Sequence, residues 1–174
     1  MEVAGSRRGD EQSPFGGGAT GPNPTDRAKK GTKRSLLTDA AGVPIGLAVA
    51  GANVPDMKLL AETIGSIPVE RPRGEEVTQH MLLDKGYDYL TIYELIDDEN
   101  YVGHIAQRTN SPMPERQRTP GRRKARRWVV ERTHGWMNRF RRVLTRWEKK
   151  IANYVGLLHF VCGIIAFRAA GVLG

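Results

Sequence analysis

The chain has 174 residues, enough for one domain with a sizeable core, and 39% of them are hydrophobic against 26% charged. Its formal net charge is +8, with the excess gathered late in the chain, which points to a polyanionic partner, nucleic acid first. The lone Cys162 excludes an internal disulfide and suits a reducing compartment, and the four histidines show no paired ligand spacing, which argues against zinc.

Residues 1–30 are polar, rich in glycine and proline, and without period, so they read as a basic flexible arm ahead of a domain spanning 31–174. They contain no apolar stretch of the kind a secretory leader needs. Arg34 to Thr38 reads as a strand, Ala40-Ala41-Gly42 as a tight turn and Pro44 to Ala50 as the partner strand of a hairpin. Asp56 is placed to cap a helix from Met57 to Ile64, which Gly65 ends. His80 to Leu83 predicts a short strand ending on Asp84. A helix over Asp88 to Glu99 follows, with Leu90, Tyr93, Leu95 and Ile96 inward, and then a strand from Tyr101 to Ala106. Strand, helix, strand in that order implies a parallel pair, and residues at the carboxyl ends of such strands line sites; Asp84 holds that position.

After a polar loop over residues 107–122, Lys124 to Lys150 reads as one amphipathic helix of about seven turns. Its apolar stripe is Val129, Thr133, Trp136, Met137, Phe140, Val143, Leu144 and Trp147. Such aromatics, with Trp128, are more often core than base-stacking platforms. Glu131 lies off the stripe, one turn after Arg127 and one turn before His134, on a face able to steer an anion. Two readings stay open for it: an i, i+4 ion pair with Arg127 worth a few tenths of a kcal/mol, or a metal-binding carboxylate. The final helix, Ile151 to Leu173, is apolar on most sides and reads as packed between the sheet and the long helix. Its most apolar run, Val155 to Phe167, is too short to cross a membrane, and Cys162 within it reads as a small core residue.

Three segments, TGPNPTDRAKKGTKRSLLTDAAGVPIGLAVAGANVPD, LLDKGYD and RRWVVERTHGWMNRFRR, resemble in order the catalytic domain of insertion-sequence transposases of the IS5/IS4 group. The likeness runs from roughly Gly16 to the C-terminus. It implies an α/β, RNase H-like mixed sheet flanked by helices, with long basic helices at the C-terminal end. It also implies a DDE recombinase that hydrolyses phosphodiesters and transfers strands at insertion-sequence ends. By the family's D-x-G-Y-D context, Asp84 is the second aspartate. By its Y-x-x-R-x-x-x-E-x(6)-K-like signature, Glu131 is the glutamate and Arg127 the arginine, while Lys124 and Asn138 replace the tyrosine and lysine. The expected cofactor is Mg²⁺ or Mn²⁺ in a two-ion site: hard cations take carboxylate oxygens, and two of them can activate the attacking oxygen and stabilise the leaving one.

The family's first aspartate sits on its first strand, but EVAGSRRGDEQSPF has no strand pattern, and Asp10 is the only aspartate there. The first strand is therefore expected to be missing or degraded and the chain to be a truncated or split-frame piece, with Asp10 the candidate third carboxylate. Arg122, Arg123, Lys124, Arg126, Arg127, Arg139, Arg141 and Arg142 are expected to hold DNA phosphates, of terminal repeats and target. The expected setting is the cytoplasm, at the nucleoid and away from membrane, as a homo-oligomer or paired with an upstream-frame product. The alternatives are a non-enzymatic DNA-binding remnant and a nuclease of similar fold.

Overall fold

The computed structural model describes residues 2–5, 11–24, 29–71, 77–113 and 127–172. Its scaffold is the hairpin of β4 (Lys30–Thr38) and β5 (Pro44–Gly51), antiparallel from Thr32↔Gly51 to Thr38↔Pro44. Alternation along β4 sends Leu36 to one face of the sheet and Leu37 to the other, and both are fully buried, so the strand is covered on both sides.

The other edge of β4 pairs with β1 (Glu2–Gly5), antiparallel from Glu2↔Thr38 to Gly5↔Ser35. β1 in turn lies parallel to β6 (Gln79–Leu83), with Val3 opposite Leu83, and β6 lies parallel to β7 (Tyr101–Ile105). The order across the sheet is thus β5-β4-β1-β6-β7, with β2 (Glu11–Gln12) and β3 (Gly21–Pro22) extending the two sides of β4. The architecture is mixed α/β, and the predicted parallel pair is present.

The N-terminal expectation needs correcting. The stretch without strand pattern supplies β1, the middle strand of that five, so a first strand is present. The described parts of the supposed arm are packed rather than free: β2 and β3 join the sheet, and Ser13 and Asn23 are buried. Four residues flanked by two partner strands need no alternation of their own, because the neighbours supply every ladder bond.

One face carries α1 (Leu60–Gly65) and α2 (Leu90–Asp98) over Leu37, Met81, Leu83, Tyr101 and Ile105. Within α2, Ile96 is buried and Tyr93 and Leu95 pack against the core as expected, but Leu90 is 52% exposed and Ile92 is buried in its place. Asp56 caps no helix and instead pairs with Lys33 at 2.9 Å.

The opposite face carries α3 (Arg127–Met137), α4 (Arg141–Leu144) and α5 (Ile151–Ala169) over Leu36 and Leu47. The single long helix is therefore wrong. The chain leaves helical geometry at Phe140, whose ψ is 104°, and again at Thr145, whose ψ is 123°. The second break is held by Arg146, whose buried guanidinium donates to the Glu148 and Lys149 carbonyls and to Thr32 Oγ1 at 2.8 Å. Satisfying several acceptors with one fixed fork outweighs continuing a helix whose later residues, Leu144 and Trp147, then stay exposed.

α5 also differs from expectation. It buries Tyr154, Leu158, Val161 and Ile165 on one side only, and Phe160 on the other is 67% exposed. Its 19 residues are long and apolar enough to cross a membrane by length and composition, although the buried side belongs to the domain core.

Candidate functional site

Asp84 follows β6 directly and keeps extended geometry, φ −76° and ψ 169°. Met81 and Leu83 point into the α1–α2 core, so alternation turns Asp84 to the other face, the one α3 covers. Its Oδ1 accepts the Gly86 N–H at 2.6 Å and caps the 3₁₀ turn Lys85–Tyr87. A Cβ at position 86 would lie 2.7 Å from that same oxygen, so a larger residue there would displace the Asp84 carboxylate.

The turn is locked from below by Asp88, a residue that the sequence reading did not single out. Its buried carboxylate accepts from Arg108 N at 2.6 Å, Ser111 Oγ at 2.9 Å and Tyr93 Oη at 3.0 Å. Burial pushes its pKa up, but those bonds and the Arg108 charge outweigh it and hold the group below the usual aspartate value. Arg108 also donates to the Lys85 and Gly86 carbonyls, at 2.7 and 3.0 Å, and lies over the Tyr89 ring. The DKGYD block is thus a clamped turn that presents Asp84. The sequence signal for it was the second aspartate of the block.

Glu131 is exposed on α3 and has no hydrogen-bond or ion-pair partner among the described residues. The side chain of Arg127 lies outside the described residues, as do Asp10, Arg122, Arg123, Lys124 and Arg126. α3 is seated by Thr133, whose hydroxyl donates to the Gly42 carbonyl at 2.7 Å, and by Arg132, which donates to Ala41 and lies between the Trp128 and Trp136 rings. Gly42 permits this contact with φ +89°; a Cβ there would lie 2.9 Å from Arg132 Nη2.

His134 does not steer an anion. It is buried, neither ring nitrogen has a hydrogen-bond partner among the described residues, and burial, helped by the Arg34 charge, pulls its pKa down to about 3. Asn138, which replaces the family lysine, accepts from Arg34 Nη2 at 2.7 Å.

Asp84 and Glu131 therefore share one face of the sheet, at different heights along it. Through the registers Val3↔Leu83 and Val3↔Leu37, Asp84 is level with Ala4 and Leu36. Glu131 belongs to the helical turn seated on Ala41 and Gly42, past the far end of β4. Among the described residues no three His, Cys, Asp or Glu come together as a metal-binding group. A two-ion site needs more oxygen donors than Asp84 and Glu131 bring, so the described side chains do not by themselves fit the Mg²⁺ pair.

The basic side chains are split by burial. Arg139, Arg141 and Arg142 are exposed at the α3–α4 corner with Lys149 and Lys150 nearby in the chain, and Arg142 is bonded to Glu148 at 2.9 Å. Arg34 and Arg146 are core groups.

Residues 4–163 match the family model for the transposase DDE domain. The chain is also 36% identical over 155 residues to a Burkholderia cepacia protein named for insertion sequence element IS402 as its transposase; the alignment spans 86% of this chain and 69% of that protein. With most of its length matched by both, the chain belongs to the DDE-domain transposases of insertion-sequence elements.

Proposed function

We propose that the domain acts in transposition by metal-assisted cleavage and transfer of DNA strands at the ends of an insertion sequence, on an RNase H-like sheet. The observation that carries this reading is Asp84, fixed by Gly86 at the carboxyl end of a parallel strand next to β1. The strand order β5-β4-β1-β6-β7, three antiparallel neighbours followed by two parallel ones, supports the fold. Asp84 and Glu131 are the proposed catalytic carboxylates, with Asp10 the candidate third, and Mg²⁺ or Mn²⁺ the ion that would supply Lewis acidity. Arg139, Arg141 and Arg142, with Arg122, Arg123, Lys124, Arg126 and Arg127, hold backbone phosphates of terminal repeats and target. The proposed setting is the cytoplasm, at the nucleoid.

One observation favours a second reading: no three-ligand group forms among the described residues, as in a DNA-binding protein without catalysis. Mn²⁺ titration and nicking of a DNA duplex separate the two. The catalytic reading expects saturable Mn²⁺ binding and Mn²⁺-dependent nicking, both lost in Asp84→Asn and in Glu131→Gln with DNA affinity kept. DNA binding without nicking in Mn²⁺ or Mg²⁺ would favour the second reading. Nicking that survives both substitutions would remove these carboxylates from the site.

A further inference from the structure

On the face opposite α1 and α2, β6 and β7 carry His80 and His104 side by side. Met81, Leu83, Tyr101 and Ile105 face the core, so alternation puts both histidines on the other side, where each is half-buried and Val102 between them in sequence is exposed. His80 is in register with Val102 and Leu82 with His104, so the two imidazoles meet diagonally across one parallel strand pair. His104 Nε2 lies 3.0 Å from His80 Nδ1, with the ring centroids 5.0 Å apart.

That separation has a second chemical meaning. Two imidazole nitrogens on one ion, with bonds of about 2.0–2.1 Å and an angle between 90° and 109°, stand about 2.9–3.4 Å apart. The hydrogen-bonded pair already has the bite of a metal chelate. In the metal-free pair one nitrogen carries the shared proton. Moving that proton to the other nitrogen of the same ring frees both lone pairs, without net release of a proton.

The ligand type selects the ion. Neutral imidazoles suit Ni²⁺, Cu²⁺ and Zn²⁺, whereas Mg²⁺ demands oxygen. We propose that His80 and His104 form a binding site for a divalent first-row transition ion, bridging β6 and β7, with water completing its coordination. Asp84 follows the end of β6, four residues beyond His80, and among the described residues no third His, Cys, Asp or Glu joins the pair as a metal-binding group. Spacing in sequence could not reveal it, because 104 and 80 are brought together only by the parallel register.

Calorimetric titration of the full chain with NiCl₂ tests the proposal. One ion per chain should bind with a dissociation constant in the micromolar range and raise the melting temperature. Excess MgCl₂ should leave binding unchanged. Affinity should fall at least tenfold in His80→Gln and in His104→Gln but hold in His159→Gln, a change at an exposed histidine of α5. Cu²⁺ bound to the unaltered chain should show electron-resonance splitting from two nitrogen nuclei, a readout that does not depend on how the variants fold. No saturable Ni²⁺ binding below millimolar concentration would overturn the site. Affinity in either variant equal to that of the unaltered chain, or splitting from fewer than two nitrogens, would do the same.

Discussion

His134 shows how far one residue's environment turns on a small rotation. It follows Glu131 by three positions, about 60° round the helix, and that separates an exposed carboxylate from a buried imidazole. Helical spacing correctly put Glu131 off the apolar stripe, but it could not rank His134, which is buried and meets the charge of Arg34 from β4 only in the folded domain. The consequence is a pH dependence of stability. With its pKa lowered from 6.5 to about 3, the folded state binds a proton less readily than the unfolded chain. Stability from this group is complete above pH 6.5 and lost as pH falls through the window from 6.5 toward 3. Each unit inside the window costs about 1.4 kcal/mol. Urea unfolding between pH 7 and 4.5 should show that loss, and His134→Leu should flatten it. A curve of unchanged steepness in the variant would mean that other groups carry it.

Elements were legible where the local pattern was strong and the tertiary demand weak. The β4–β5 hairpin was readable because an apolar strand, a glycine turn and a second apolar strand are contiguous. β6, α2 and β7 were readable through their strand–helix–strand order. β1 was not, since four residues owe their conformation to partners thirty or more positions away. The long helix failed for a related reason: its stripe continues in sequence to Trp147, but Arg146 finds carbonyls and Thr32 to satisfy, and the chain bends to bring it there. The seat of α3 on the hairpin turn gives a direct test. Gly42→Ala must place a side chain at φ +89° and 2.9 Å from Arg132, and should lower the unfolding free energy by about 1–3 kcal/mol. Gly65→Ala, where a Cβ meets nothing within 4 Å, is the matched control and should change it little. Equal urea midpoints for the two variants would show that α3 does not depend on this contact.

For the whole molecule, net charge proved an incomplete guide, because charge does not report burial. The hairpin's Arg34 and, among the late arginines, Arg146 are structural, and Arg142 shares its charge with Glu148, while Arg139 and Arg141 stand exposed. The candidate carboxylates were legible by family likeness, and the fold adds the reason that Asp84 is presented: Arg108, from the loop after β7, fastens its turn through Asp88 and the Lys85 and Gly86 carbonyls. The α3–α4 corner is where the basic surface can be tested against this division. Each phosphate that a side chain neutralises on duplex DNA contributes about −0.9 to the slope of log affinity against log salt. Replacing Arg139, Arg141 and Arg142 together with alanine should therefore make the slope shallower by about 2, somewhat less than three full contacts because Glu148 already engages Arg142. Arg146→Met should act differently, lowering stability through its lost carbonyl bonds while leaving the slope of the remaining folded protein unchanged. Fluorescence anisotropy from 50 to 300 mM salt reads both. An unaltered slope in the triple variant would take the DNA contact off this corner and leave it to Arg122, Arg123, Lys124, Arg126 and Arg127.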